Sequence, residues 1–166
     1  MPEHLHYHEN LIQALRARAN GADTRLLALL WTNEPQALLT AEGSPVRRVR
    51  DLRDRRVGIP RGTDAACRRA CAMRGLISAL EIHGLYHRHV QWVDLDEPED
   101  PSRPDDMPEL TALREGRVDA VCVTGADNAG ALRAPGVRIL FDAGRHSDTW
   151  VRTQGAIPYA ITVRGE

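Results

Sequence analysis

From Arg56 to Phe141 the chain switches repeatedly between short apolar runs and longer helix-forming segments. Arg56 to Pro60 reads as a central strand. A helix follows from Asp64 to His83, with Thr63 as its N-cap, Gly84 as its stop, and Ala66, Ala70, Met73, Ile77 and Leu80 on one face. Then come a strand over Val90–Leu95, a helix over Met107–Glu115, a strand over Val118–Val123, a helix over Ala126–Arg133 and a strand over Val137–Phe141. Parallel neighbours need a crossover connection, so this alternation predicts an α/β fold with mostly parallel sheets. Upstream, His4–Tyr7 reads as a strand and Glu9–Ala19 as a helix stopped by Asn20-Gly21. The continuous apolar run Thr24–Thr32 reads as a buried strand, and Gln36–Ala41 as the next one. Asp96–Pro108 is a solvated acidic loop. A polar link, Gly144–Gln154, precedes a last strand over Ala156–Val163.

Length and composition narrow the functional classes. The 166 residues suffice for one ordinary domain or two small lobes. A formal net charge of −1 gives no nucleic-acid footprint. All basic residues are arginine, which removes chemistries that need a Schiff-base or phosphate-loop lysine. Cys67, Cys71 and Cys122 have no disulfide-framework or zinc-cluster spacing, and no cofactor is expected. No apolar run is long enough to span a membrane. Nothing before Tyr7 resembles a secretory signal, so the chain as it stands is expected in the cytoplasm, or outside it if it is a piece of a longer exported protein.

Three constellations could carry chemistry. The strand ending at Pro60 runs into Arg61-Gly62-Thr63-Asp64 and a helix start, where backbone N–H groups and the positive end of the helix dipole favour a small anion. The same residues also make an ordinary helix cap, and Asp64 would favour an amine-bearing or neutral ligand instead. Thr124-Gly125-Ala126-Asp127-Asn128 follows another strand end, the position at which open α/β sheets bind ligands. Asp127 could equally be a cap. Finally, His4, His6 and His8 alternate along a strand and would share a face, which suits a ligand contact or, as a minor alternative, a metal. His83, His87 and His89 flank a helix end, where imidazolium suits the dipole.

The run from Gln36 to Thr63 resembles the hinge-crossing segment of ABC-transporter solute-binding proteins of the nitrate/sulfonate/taurine branch. That branch includes thiamine-pyrimidine-precursor-synthase-like and aromatic-sulfinate-desulfinase-like proteins. The matching residues are Ser44-Pro45, Asp51-Leu52-Arg53, Arg56-Val57-Gly58-Ile59-Pro60 and Gly62-Thr63. They continue in Ala79-Leu80, His83-Gly84-Leu85, Val90-Gln91-Trp92-Val93 and Ala112-Leu113 with Gly116-Arg117-Val118-Asp119-Ala120. LysR-type effector domains share the last pattern and the general fold.

The resemblance implies a type II periplasmic-binding fold, apparently truncated at both ends. Residues 1–43 and 156–166 would form a partial first lobe, and 44–155 a nearly complete second lobe. It also implies a small organic or anionic solute held between lobes that close on a hinge. His6, His8, Arg61, Gly62, Thr63, Asp64, Thr124 and Asp127 are the expected ligand contacts. A permease, a complementing chain or a second copy are the implied partners, beside the ligand itself. The alternatives are an enzyme on the same scaffold or a ligand-sensing subunit. The desulfinase-like relatives use a cysteine from an early segment that this chain does not contain, and the cysteine-rich motif of the synthase-like relatives is also missing.

Overall fold

The computed structural model describes residues 5–8, 11–30, 35–61, 66–96, 107–154 and 159–164, without the side chains of Tyr7, 66–68, 126–128, Trp150, Thr153 and Gln154. The chain divides into two compact units, residues 1–33 with 156–166, and residues 34–155.

The smaller unit contains β1 (Leu5–His8), α1 (Leu11–Ala19), β2 (Thr24–Leu30) and β8 (Tyr159–Arg164). Its sheet has the order β1-β8-β2, and both pairings are antiparallel. The parallel arrangement expected from the alternation therefore belongs to the larger unit. Among the described residues of the smaller unit, only Ala14, Ala160 and Thr162 are buried. The apolar run in β2 was expected to be buried, and this is corrected: Leu26, Leu27 and Leu30 are 51%, 58% and 42% exposed. A continuous apolar strand is buried only when layers cover both faces. Here β2 lies at the edge of a three-stranded sheet, with β8 as its one described neighbour.

The larger unit is built on a five-stranded sheet of order β5-β4-β6-β3-β7. Its strands are β3 (Gln36–Ala41), β4 (Arg56–Pro60), β5 (Gln91–Leu95), β6 (Ala120–Thr124) and β7 (Val137–Asp142). β4 is parallel to both β5 and β6, whereas β3 is antiparallel to β6 and β7. Four strands thus run one way, with β3 inserted against them. Residues 34–43, expected with the first lobe, belong here, because β3 hydrogen-bonds on both sides within this sheet.

Strand alternation directs side chains to two cores. Leu38, Val57, Ile59, Ala120 and Cys122 pack with Ala72, Leu76, Ala79 and Leu80 of α2 (Ala66–Ile82). Leu39, Leu95, Val121 and Val123 pack with Leu110, Ala112 and Leu113 of α3 (Pro108–Arg114). Each large side chain buried in this way contributes roughly 1.5–3 kcal/mol before entropy is counted. α2 stops at Gly84, where Leu85 N donates to Leu80 O at 2.9 Å and Gly84 N to Glu81 O at 3.0 Å. The expected helix over Ala126–Arg133 is a run of 3₁₀ geometry, and the polar link contains a short helix, α4 (Thr149–Gln154). Among the described residues no helix is long and apolar enough to cross a membrane.

Much of the recognised motif serves this architecture. Ser44 Oγ accepts from Val46 N at 3.1 Å, and Asp51 Oδ2 accepts from Arg47 N and Arg48 N at 2.9 Å each. Those two backbone donors hold the Asp51 carboxyl below the usual carboxylate range. Arg138 of β7 donates to the carbonyls of Glu42, Ser44 and Val46, fastening the same turn.

Asp119, at the N-terminal edge of the sheet, accepts from Arg56 N at 2.9 Å and from its guanidinium, while its carbonyl accepts from the Thr40 hydroxyl at 2.7 Å. Burial opposes its charge, but the hydrogen bonds from Arg56 outweigh that, so its pKa lies below the ordinary value. A carboxyl depressed by folding stabilises fully above its unfolded pKa of about 4, and that contribution is lost as pH falls through the folded value. Asp119→Asn is therefore expected to cost about 1 kcal/mol at neutral pH. It should also give a shallower loss of stability on acidification, read by urea titrations across the acid range.

Candidate functional site

Because β4, β5, β6 and β7 run the same way, their last residues Pro60, Leu95, Thr124 and Asp142 lie along one edge of the larger sheet. β3 enters at that edge, and Gln36 pairs with Thr124. β4 and β6 pair in parallel at Val57↔Ala120 and Gly58↔Val121, so Arg61, just past the end of β4, and Thr124, the last residue of β6, leave the sheet at the same edge. Arg61 N donates to Leu95 O at 2.7 Å and Gly125 N to Pro35 O at 3.0 Å, so both chains leave the sheet while still tied to it. Gly125 has φ +89°, a conformation that side-chain-bearing residues rarely adopt, and it turns the chain sharply past Thr124.

The guanidinium of Arg61 is engaged by carboxylates from the end of β5. It lies 3.1 Å from Asp96 and 3.8 Å from Asp94. Arg69, near the start of α2, donates to Asp94 Oδ1 at 2.7 Å and to Pro60 O at 2.9 Å. The hydrogen bond from Arg69, followed by the charges of Arg69 and Arg61, holds the Asp94 carboxyl below its ordinary range. The edge therefore carries alternating charges, with Arg61 63% exposed and Asp96 81% exposed at their side chains.

Beneath it, the Gln36 amide is buried and donates to Cys71 O at 3.3 Å. It packs against Gly75, the residue one turn further along α2. The Cys122 thiol lies in the same layer, and burial pushes its pKa up strongly, so thiolate is scarce there.

Of the expected contacts, Arg61 and Thr124 lie at the edge of the larger sheet where β4 and β6 end. Gly62, Thr63, Asp64 and His4 lie outside the described residues, as does the side chain of Asp127. His6 and His8 are in the smaller unit. His6 is exposed on β1, and His8 Nε2 shares a 2.9 Å hydrogen bond with Thr162 Oγ1 on the facing strand. Among the described residues no cluster of three or more His, Cys, Asp or Glu side chains could hold a metal. Arg145, in the polar link, is paired with Asp142 at 3.3 Å.

The sequence reading missed Gln36, Arg69, Asp94 and Asp96. Asp94 did carry a signal, a carboxylate inside the otherwise apolar Trp92–Leu95 strand.

No protein-family model matches the sequence, and neither does any curated protein. Solved structures do. The chain is similar to the periplasmic aliphatic sulphonate binding protein SsuA from Escherichia coli, with TM-score 0.63 and 24% identity over 96% of this chain and 44% of that one. It is similar to the desulfurization enzyme DszB, with TM-score 0.66 and 21% identity over 96% of this chain and 55% of that one. It is also similar to the alkanesulfonate-binding protein SsuA from Xanthomonas axonopodis pv. citri, solved with MOPS bound, with TM-score 0.59 and 22% identity over 97% and 47%. The chain spans about half the length of these structures. Over that half, it has the α/β fold of the periplasmic solute-binding proteins.

Proposed function

We propose that this chain binds a small organic solute with an anionic head at the edge where β4, β5, β6 and β7 end. The observation that supports the reading is the shared edge at which four like-running strands end, with Arg61 just past β4, Thr124 closing β6 and a bend at the positive-φ Gly125. Open α/β sheets bind ligands at this kind of edge. Gly62, Thr63, Asp64 and Asp127 would complete the site with backbone N–H groups and short polar side chains. A sulfonate or carboxylate is the favoured head group. The bound MOPS of one structural neighbour agrees with that choice. Arg61 would orient the ligand more than attract it, since its charge is already shared with Asp94 and Asp96.

Neither cysteine whose side chain is described offers an exposed thiol. The Cys122 thiol is fully buried and held protonated, and Cys71 is half-buried against the same layer. The exposed leucines of β2 fit a smaller unit that is completed by further polypeptide, from a complementing chain or a second copy.

Thermal unfolding in the presence of MOPS, taurine, benzoate, a pyrimidine and a primary amine tests the reading. Saturating sulfonate or carboxylate, about a hundredfold above Kd, is expected to raise Tm by roughly 5 °C or more. Thr124→Val should weaken binding about tenfold. A flat response to every compound would overturn the proposal, and stabilisation by the amine alone would reverse the assigned head group.

A further inference from the structure

The opposite edge of the larger sheet, where β4, β5 and β6 begin, is rich in arginine. Six of the ten residues from Arg47 to Arg56 are arginine. Two of them have structural duties: Arg50 Nε donates to His83 O at 3.0 Å, and Arg56 is clamped to Asp119. Arg53 and Arg55 do not. They are exposed, and among the described residues neither they nor Arg88 take part in an ion pair.

These three arginines are brought together by backbone bonds. Asp54 N donates to His89 O at 2.7 Å, and Gln91 N donates to Arg55 O at 2.8 Å. The Gln91 amide reaches Asp54 O at 3.3 Å. The 53–55 turn is therefore fastened to the 3₁₀ turn His87–His89. Arg88 lies over the Tyr86 ring with its guanidinium carbon 4.7 Å from the centroid. Tyr86 is braced in turn: its N–H donates to His89 Nδ1 at 3.1 Å, and the two rings meet at 5.5 Å. Tyr86 is 49% exposed, and Ile82, at the end of α2, is 42% exposed. Asp54 and Glu81 are the acidic side chains not already committed in this stretch, so the balance stays positive. The His89 imidazole reports that field, since burial first, then Arg53 and Arg88, disfavour its protonated form.

We propose that this edge docks an acidic protein face, with Tyr86 and Ile82 as its apolar centre and Arg53, Arg55 and Arg88 as the charged contacts. Tyrosine and arginine are the side chains that interface centres favour, and a guanidinium already held over a ring loses little entropy on pairing with a carboxylate. A nucleic acid fits less well, because polyanion binding grows with the number of phosphates neutralised and this chain has a net charge of −1. A membrane surface fits less well too, since two apolar side chains provide little to insert.

The test is fluorescence anisotropy of the full chain with a labelled peptide of Glu, Leu and Gly, beside a single-stranded DNA oligonucleotide and phosphatidylglycerol vesicles. The peptide should bind, and more weakly as salt rises. R53E/R55E/R88E should weaken binding about tenfold or more, and Y86A about threefold or more. R133E, an exposed arginine elsewhere, should leave it unchanged. R53Q/R55Q/R88Q removes the charges without reversing them and keeps the test valid if the reversed variant folds poorly. The proposal is overturned if the wild-type chain ignores the peptide or if the Gln variant binds it equally well. Tighter binding of the oligonucleotide or the vesicles would also overturn it.

Discussion

A Gly75→Ala variant is expected to lose about 2–4 kcal/mol of unfolding free energy, although alanine is the better helix former by about 1 kcal/mol. The sign is decided by what the new methyl would meet. It would overlap the Gln36 amide nitrogen, lie 2.7 Å from the amide carbon and press on Cys122 Sγ at 3.2 Å. A terminal amide can swing, but this one is buried and donates to Cys71 O, so moving it breaks that bond and displaces a polar group within a filled core. Urea unfolding measures the loss. A double-mutant cycle identifies its cause, because Gln36→Ala alone should cost about 1–2 kcal/mol and should then make Gly75→Ala nearly neutral. If both substitutions simply add, the amide is not the obstacle. The contact also bears on the site, since Gln36 opens β3 directly opposite Thr124.

The larger unit was legible because strands and helices alternate there with different periods. Val57 and Ile59 reach one core while Leu95 and Val121 reach the other, as buried central strands require. The assignment of β3 was not legible. Gln36–Thr40 is buried on both faces, and a strand of that composition suits the middle of any sheet. What places it is pairing with residues about eighty to a hundred positions away, such as Leu38 with Cys122 and Phe141. β2 failed for a related reason. An apolar run says that a strand can be buried, but burial needs a covering layer on each face, and Leu26, Leu27 and Leu30 remain about half exposed.

At the site, Arg61 and Thr124 could be anticipated because strand-end positions are readable from the ends of apolar runs. The carboxylates that hold Arg61 could not. Asp96 meets it only through the β4–β5 register, which no local pattern encodes. The resemblance that guided the reading drew mostly on architectural residues. Ser44, Asp51 and Asp119 all spend their side-chain or backbone groups on turns and strand clamps. Such residues identify a scaffold and say little about its ligand.

Gly58→Val sets two physical effects against each other with opposite signs. Strand propensity favours valine over glycine by about 1 kcal/mol in an extended segment. Packing forbids it, because β4 is sandwiched between β5 and β6 and a Cβ at Gly58 would already be 2.8 Å from Leu95 Cδ1 and 3.1 Å from Val121 Cγ1. Leu95 and Val121 are fully buried, so neither can retreat into solvent, and the valine methyls would crowd them further. The expected result is a net loss of about 3 kcal/mol or more, read as a lower urea midpoint with little change in slope. Shortening the neighbour should recover part of it, so Gly58→Ala with Leu95→Val should be more stable than Gly58→Ala alone. Were Gly58→Val to stabilise the chain, β4 could not lie this close to its neighbours, and the shared edge at which Arg61 and Thr124 leave the sheet would fall with it.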